Sequence, residues 1–359
     1  MEHGAEWPAP RAALEAGRRF LERRSEPWVV LPDGDVDGLS SGALVFRALE
    51  RLGRRVSVVL PGKAEHAHSD PVREAVRARA PGAVVVLDMG TRGEPILPGV
   101  ATLVVDHHAP TRGTPPGAVW VGAAGHEPVA PTALLAYELL RGVRGLEVED
   151  LAWLAALGTV ADLGPDAPFP SIAAVLARAG KGNVREAVAL LNAPRRSAKH
   201  ELHVAWDVLA AAREPADIAR GRVPGVERLQ AIRVEVQREV DRCARTPPRF
   251  GGDAALLLFS SGAKVHPLVA ARWAGRLAGS IVVAANTGYL PGRVNFAIRS
   301  RRDVDLLRWL HGLGVPLPAD AGHGHPRATG GSVPPERFAE LLVAMGFDAA
   351  AAADVPGPS

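Results

Sequence analysis

The chain has 359 residues, 47% hydrophobic and 23% charged, which suits a globular protein with a real core and excludes disorder over most of its length. At roughly 150 residues per domain, two domains is the default. Net charge is +3 and the single cysteine, Cys243, precludes an internal disulfide. No apolar run approaches the ~20 residues of a membrane span, and Met1–Glu6 is not a signal peptide. These features predict a soluble cytoplasmic protein with no membrane partner. Only four of the 42 cationic residues are lysine. Arginine forks favour phosphate-bearing partners, although a GC-rich coding bias is the simpler source of the excess.

Apolar β-branched runs at 28–31, 56–60, 84–87, 103–105 and 119–121 read as short buried strands. Helix-spaced apolar positions lie between or after them at 39–52, 71–80 and 131–140. This βαβ rhythm predicts an α/β fold, with a mostly parallel sheet covered by helices on both faces. Helices continue at 151–160, 172–179 and 184–191, and 204–243 is largely helical with a break at Pro224-Gly225. A second α/β rhythm starts at 254–259. It runs through a helix near 267–277, strands at 281–285 and 294–298, and helices at 303–313 and 335–345. The predicted organisation is a first domain over 1–225 with trailing helices, a helical linker over 226–252, a smaller α/β domain over 253–348, and a disordered tail over 349–359. The active site is expected in the cleft between the domains.

Chemistry-bearing residues gather where the first-domain strands end, the edge at which open α/β sheets place their sites. The first strand runs into Asp33-Gly34-Asp35-Val36-Asp37-Gly38, the third ends Asp88-Met89-Gly90, and the fourth ends Asp106-His107-His108. A later helical segment ends Gly158-Thr159-Val160-Ala161-Asp162. Three carboxylates at alternate positions repel one another unless a cation neutralises them. A cysteine-free Asp/His set suits manganese, magnesium or zinc, with manganese favoured by the mixture of carboxylate and imidazole.

These four motifs, in this order, resemble the DHH phosphoesterase superfamily and within it the RecJ-like branch. Leu191-Asn192-Ala193-Pro194-Arg195-Arg196 is similar to an Asn-Ala-x-x-Arg stretch of that branch. Arg299-Ser300 and Gly322-His323-Gly324-His325, with Gly330-Gly331 downstream, resemble motifs of the DHH-associated domain. The resemblance covers roughly residues 26–346.

The resemblance implies two divalent ions, manganese or alternatively magnesium, bridged by Asp88. Asp37, His107 and Asp162 would complete one site. Asp35 would hold the other ion, with Asp33 as a possible helper. His108 would face the phosphate and Asp106 would orient it. Arg299, Ser300, Gly324 and His325 would bind the substrate phosphate, with Arg195 and Arg196 as further candidates. The implied activity is metal-dependent hydrolysis of single-stranded nucleic acid from one end, as a 5′→3′ exonuclease acting on single-stranded DNA or short RNA and DNA oligonucleotides. The alternative is an oligoribonuclease or nucleotide phosphatase for very short substrates, and a third reading is an inactive replication or repair scaffold. The pattern departs from the family at Leu31, where many members carry histidine, at His323 in place of glycine, and at Pro326-Arg327.

Other signals carry less. Gly38-Leu39-Ser40-Ser41-Gly42 fits a G-x-S-x-G elbow, but a serine oxyanion beside three carboxylates is disfavoured, and Ser40 and Ser41 read as caps of the next helix. Gly62-Lys63 and Gly180-Lys181 lack the upstream glycine of a phosphate-binding loop. His66 and His68 read as surface histidines, and 213–249 as a solvated, arginine-rich helix face. No oligonucleotide-binding barrel is expected beside the two domains. The reading therefore predicts short strands handled at least as well as long ones, low processivity and steep inhibition by salt.

Overall fold

The computed structural model describes residues 7–22, 26–110, 113–318, 321–325 and 327–355, with only the backbone described at 323–325. The chain divides into two compact units, Met1–Arg195 with His200–Gln230, and Arg196–Lys199 with Ala231–Ser359.

The first unit begins with α1 (Arg11–Glu22), β1 (Trp28–Pro32), α2 (Val36–Arg51), β2 (Val56–Val58), α3 (Asp70–Arg77) and β3 (Ala83–Leu87). It continues with β4 (Ala101–Asp106), β5 (Val119–Gly122), α4 (Thr132–Leu140), α5 (Ala152–Leu163), α6 (Pro170–Ala179) and α7 (Lys181–Leu191). Helices α8 (Leu202–Ala211) and α9 (Pro215–Ala219) complete it, and α10 (Val226–Cys243) leads out of it. The five strands are parallel, in the order β2-β1-β3-β4-β5. Strand order reverses between β1 and β3, so a crevice opens there at the carboxyl edge.

Period-two alternation splits each strand between two apolar layers. Trp28 and Val30, Val85 and Leu87, and Leu103 and Val105 join a large core with α2, α4 and α5. Val29 and Leu31, Val84 and Val86, and Val104 join a smaller layer with Val72 and Val76 of α3. Both faces are covered, which is why the strands read as unbroken apolar runs. Leu31 is fully buried in the α3 layer, where an apolar side chain packs and an imidazole would need hydrogen-bond partners.

The second unit holds β6 (Arg249–Gly251), β7 (Ala254–Phe259), α11 (His266–Arg276), β8 (Ile281–Asn286), β9 (Val294–Ser300) and α12 (Leu306–Gly312). They are followed by β10 (Ala321–His325), β11 (Ala328–Val333), α13 (Pro335–Ala344) and α14 (Ala349–Ala353). Its mixed sheet runs β10-β11-β9-β8-β7-β6, with only β7 and β8 parallel. No helix among the described residues is long and apolar enough to cross a membrane.

Several expectations are corrected. The segment 249–251 is a strand paired with β7 rather than linker. Residues 349–353 form a helix instead of a disordered tail: Asp348 accepts the Ala351 N–H at 2.8 Å, and Ala351 and Val355 pack into the second core. The last four residues, 356–359, lie outside the described residues. Helix α2 starts at Val36, and its cap is Asp35, whose Oδ1 accepts the Gly38 N–H at 3.0 Å. Ser40 and Ser41 lie buried inside that helix, with the Ser41 hydroxyl donating to the Gly38 carbonyl.

One long-range bond set tests how α8 is held. Arg47 of α2 lies over the Trp153 ring and donates to the carbonyls of Leu209 and Ala212 at 2.6 and 2.7 Å, acceptors left open where α8 ends. Arg47→Met keeps the stem and removes the donors. Charged hydrogen bonds of this kind are worth roughly 1.5–3 kcal/mol, so the urea midpoint should fall accordingly; an unchanged midpoint would show that α8 docks without them.

Candidate metal centre

Three carboxylates follow β1. The Asp33 N–H donates to Leu87 at the end of β3, tying the two strand ends together. Gly38 is needed in this turn, because a Cβ there would meet the Asp33 carbonyl oxygen at 2.6 Å. Asp37, in the first turn of α2, is buried and accepts the backbone N–H groups of Thr132 and Ala133 at 2.7 and 2.9 Å. Those are unpaired donors at the start of α4, so a helix terminus helps to hold the buried charge. Gly158 lets α5 approach closely, since a Cβ would lie 2.4 Å from both Asp37 Oδ1 and Ala133 Cβ.

Asp88 follows β3 with φ +64°, a left-handed conformation that Asp tolerates better than most residues. Its Oδ1 accepts the Thr132 hydroxyl at 2.8 Å and lies 3.4 Å from His107 Nε2 and 3.8 Å from His108 Nδ1. Asp162, near the end of α5, sits 3.7 Å from His107 Nδ1. Asp106 is fully buried and accepts the Gly90 N–H, the His108 N–H and His108 Nδ1 at 2.5, 2.8 and 2.8 Å. Both backbone and ring of His108 are therefore held by one carboxylate.

Among the described residues, two groups of ligand atoms each lie within 4.8 Å of one another: Asp88, His107 and His108, and Asp33, Asp35 and Asp88. Asp88 is common to both. Asp37 and Asp162 fall outside these two groups, and Asp35 Oδ2 is paired with Arg195 at 2.7 Å. Beside them lies a cavity of about 290 Å³, lined by Asp33, His66, Asp88, Met89, Gly90 and His108.

Burial pushes the Asp37 and Asp88 carboxyls well above the usual range, and repulsion from Asp35 adds to both. Asp35 is also raised by burial, but Arg195 and the Gly38 N–H outweigh it and bring the net shift below the usual value. His107 is lowered by burial and by His108. The hydrogen bond to Asp106 raises His108. Buried carboxylates that resist losing their protons, beside imidazoles, fit a divalent cation: it supplies the missing positive charge and accepts both oxygen and nitrogen donors.

The other anticipated residues lie elsewhere in the chain's bonding. Arg299 donates from Nη1 to the Ile298 carbonyl at 2.8 Å, and the Ser300 hydroxyl donates to Ser280 at 3.2 Å. The Arg196 carbonyl accepts the Lys264 N–H within the second unit. Gly324 and His325 belong to β10, where only the backbone is described. The expected surface location does not hold for His68. The His68 side chain is 6% exposed, and its pKa is lowered to about 4 by burial. His66 lines the cavity. A signal existed: their loop leaves β2, a parallel neighbour of β1, at the carboxyl edge.

No protein-family model matches the sequence, nor does any curated protein. Solved structures do match the fold. A manganese-bound exonuclease RecJ aligns with TM-score 0.66 at 22% identity, over 96% of both chains. The fold is that of RecJ. RecJ from Thermus thermophilus aligns over 99% of this chain with TM-score 0.68 and 22% identity in complex with Mn2+. The same RecJ in complex with Mg2+ aligns at 0.62 and 18%. This chain spans 56% and 54% of those two RecJ chains.

The carboxyl shifts set a pH test. A raised folded-state carboxyl stabilises the fold at pH values where it keeps its proton, and that contribution is lost as pH rises through the raised pKa. A cation displaces these protons, so added Mn2+ should raise Tm more at pH 8 than at pH 5.5. At 100 times Kd the stabilisation is about 2.7 kcal/mol. Equal gains at both pH values would contradict the electrostatic account of Asp37 and Asp88.

Proposed function

We propose that this protein is a metal-dependent phosphoesterase that hydrolyses single-stranded nucleic acid from one end, as a 5′→3′ exonuclease. The observation that carries the reading is the sharing of Asp88 between an Asp/Asp group and a His/His group within 4.8 Å, on a RecJ fold. Paired metal sites of this kind serve in-line displacement at phosphorus.

We assign Asp35, Asp88 and His107 as metal ligands, with Asp37 and Asp162 completing the His107 side and Asp33 assisting Asp35. Bound manganese or magnesium would supply Lewis acidity, an activated water and neutralisation of charge on the phosphate. The remaining chemistry belongs to side chains. Asp106 accepts from His108 Nδ1, which turns Nε2 outward as the other nitrogen. The hydrogen bond to Asp106 also favours the protonated ring of His108, the form in which that nitrogen can donate a proton to a phosphate oxygen. Thr132 binds Asp37 through its N–H and Asp88 through its hydroxyl, so it keeps the two carboxylates in register. In the second unit, Arg299 and Ser300 are assigned to the substrate phosphate. Arg299 has further N–H groups beyond the one given to Ile298.

End-labelled DNA and RNA strands of several lengths, incubated with and without Mn2+ or Mg2+, test the reading. The wild-type protein should release mononucleotides from one end in a metal-dependent manner, and folded Asp88→Ala should fall to background. Near-normal turnover by Asp88→Ala, or no cleavage of any phosphodiester by the wild type, would overturn it. Turnover confined to the shortest strands would move the assignment to the oligoribonuclease class.

Arg299→Ala should raise KM by about 10- to 150-fold, the range for a charge-assisted contact, and leave Mn2+ affinity unchanged. Loss of metal affinity with KM preserved would show that Arg299 has another role.

A further inference from the structure

We propose that Arg195 sets the cation affinity of the Asp33–Asp35 side of the metal centre, so that the two sides of Asp88 take up divalent cations unequally, the His107 side first. This rests on the metal-dependent phosphoesterase reading above. Arg195 lies in the short turn Pro194–Arg196 that follows α7. Its Nη1 pairs with Asp35 Oδ2 at 2.7 Å, with both side chains partly buried. Its Nε is buried and makes no hydrogen bond. Burying such an N–H without a partner is costly, so the placement of this guanidinium depends on the Asp35 carboxylate.

The other oxygen of Asp35 is also engaged. Oδ1 accepts the Gly38 N–H at 3.0 Å as the cap of α2. Asp35 thus gives one acceptor position on each oxygen to the protein itself. A carboxylate has about four such positions, so a cation can still use it, but only beside a fixed positive charge or after Arg195 has let go. The first route costs like-charge repulsion, and the second costs a charged hydrogen bond.

The His107 side has no such competitor. Among the described residues, no lysine or arginine pairs with Asp37, Asp88 or Asp162; the nitrogens that approach Asp88 and Asp162 are those of His107 and His108. A neutral imidazole offers a lone pair to a cation, whereas a guanidinium offers none and keeps its charge. Arg195 therefore opposes a cation on one side of Asp88 and leaves the other side open to it.

Calorimetric titration with Mn2+, together with anomalous diffraction to place the ions, tests this on the wild type, Arg195→Ala, Arg195→Gln and Arg195→Lys. The glutamine variant removes the charge with less loss of packing, and the lysine variant keeps the charge. The wild type should show a tight site towards His107 and a weak site towards Asp33 and Asp35. Arg195→Ala and Arg195→Gln should tighten the weak site by about tenfold or more, the range for one charged hydrogen bond, and leave the tight site unchanged. Arg195→Lys should stay close to the wild type. A second ion that binds only when the charge is removed would carry the same conclusion. Equal affinities at the two sites of the wild type, an unchanged weak site in both neutral variants, or a single ion in all four proteins would overturn the proposal and leave the phosphoesterase reading standing. A wild-type protein that binds no Mn2+ would bring down that reading instead.

Discussion

Burial of negative charge at the carboxyl edge of the first sheet is the constraint on which this structure depends. Asp37 and Asp88 are both buried and Asp35 repels both, an arrangement that would be costly with the carboxylates ionised and uncompensated. Part of the compensation is built in. The start of α4 gives two backbone donors to Asp37, Thr132 gives its hydroxyl to Asp88, and Arg195 pairs with Asp35. The absence of a side chain at Gly38 and Gly158 is part of the same solution, since a Cβ at either would collide with the turn or with Asp37 itself. A scaffold that spends this many contacts on keeping carboxylates together has the character of a site rather than of a core.

Arg195 adds a second consideration. Its guanidinium occupies Asp35 Oδ2 at 2.7 Å, while Leu31 packs into the α3 layer. The Asp33–Asp35 side is thus neutralised in part by the protein, whereas the ring nitrogens nearest Asp88 belong to imidazoles, and burial and His108 disfavour the charged form of His107. The two sides of Asp88 are chemically unequal, and the His107 side has the greater unmet demand for positive charge.

Much of this was legible in the sequence because its signals are local. Apolar runs separated by helical periodicity gave the five parallel strands, and acidic strand ends in a parallel sheet converge for topological reasons. What was missed depends on contacts between distant segments. Thr132 looks like an ordinary helix start, and only the fold brings it to Asp37 and Asp88, 95 and 44 positions away. His66 and His68 look like loop polarity until β2 is known to lie beside β1. The glycine-rich segments 321–325 and 328–333 lack the β-branched character of strands, yet β10 pairs with β11 and β11 with β9. A Cβ on Gly330 would sit 2.3 Å from the Phe296 carbonyl oxygen, so glycine there serves close strand approach. Residues 349–353 are helical because Asp348 caps them and Val355 finds a core, neither of which an alanine run announces.

The central claim is that Asp88 joins two cation sites. Diffraction from crystals grown with Mn2+, collected at the manganese absorption edge, tests it most directly. The account predicts two anomalous peaks sharing the Asp88 carboxylate, one towards Asp33 and Asp35 and one towards His107. Anomalous density elsewhere in the protein, with none within bonding distance of Asp88, would contradict it.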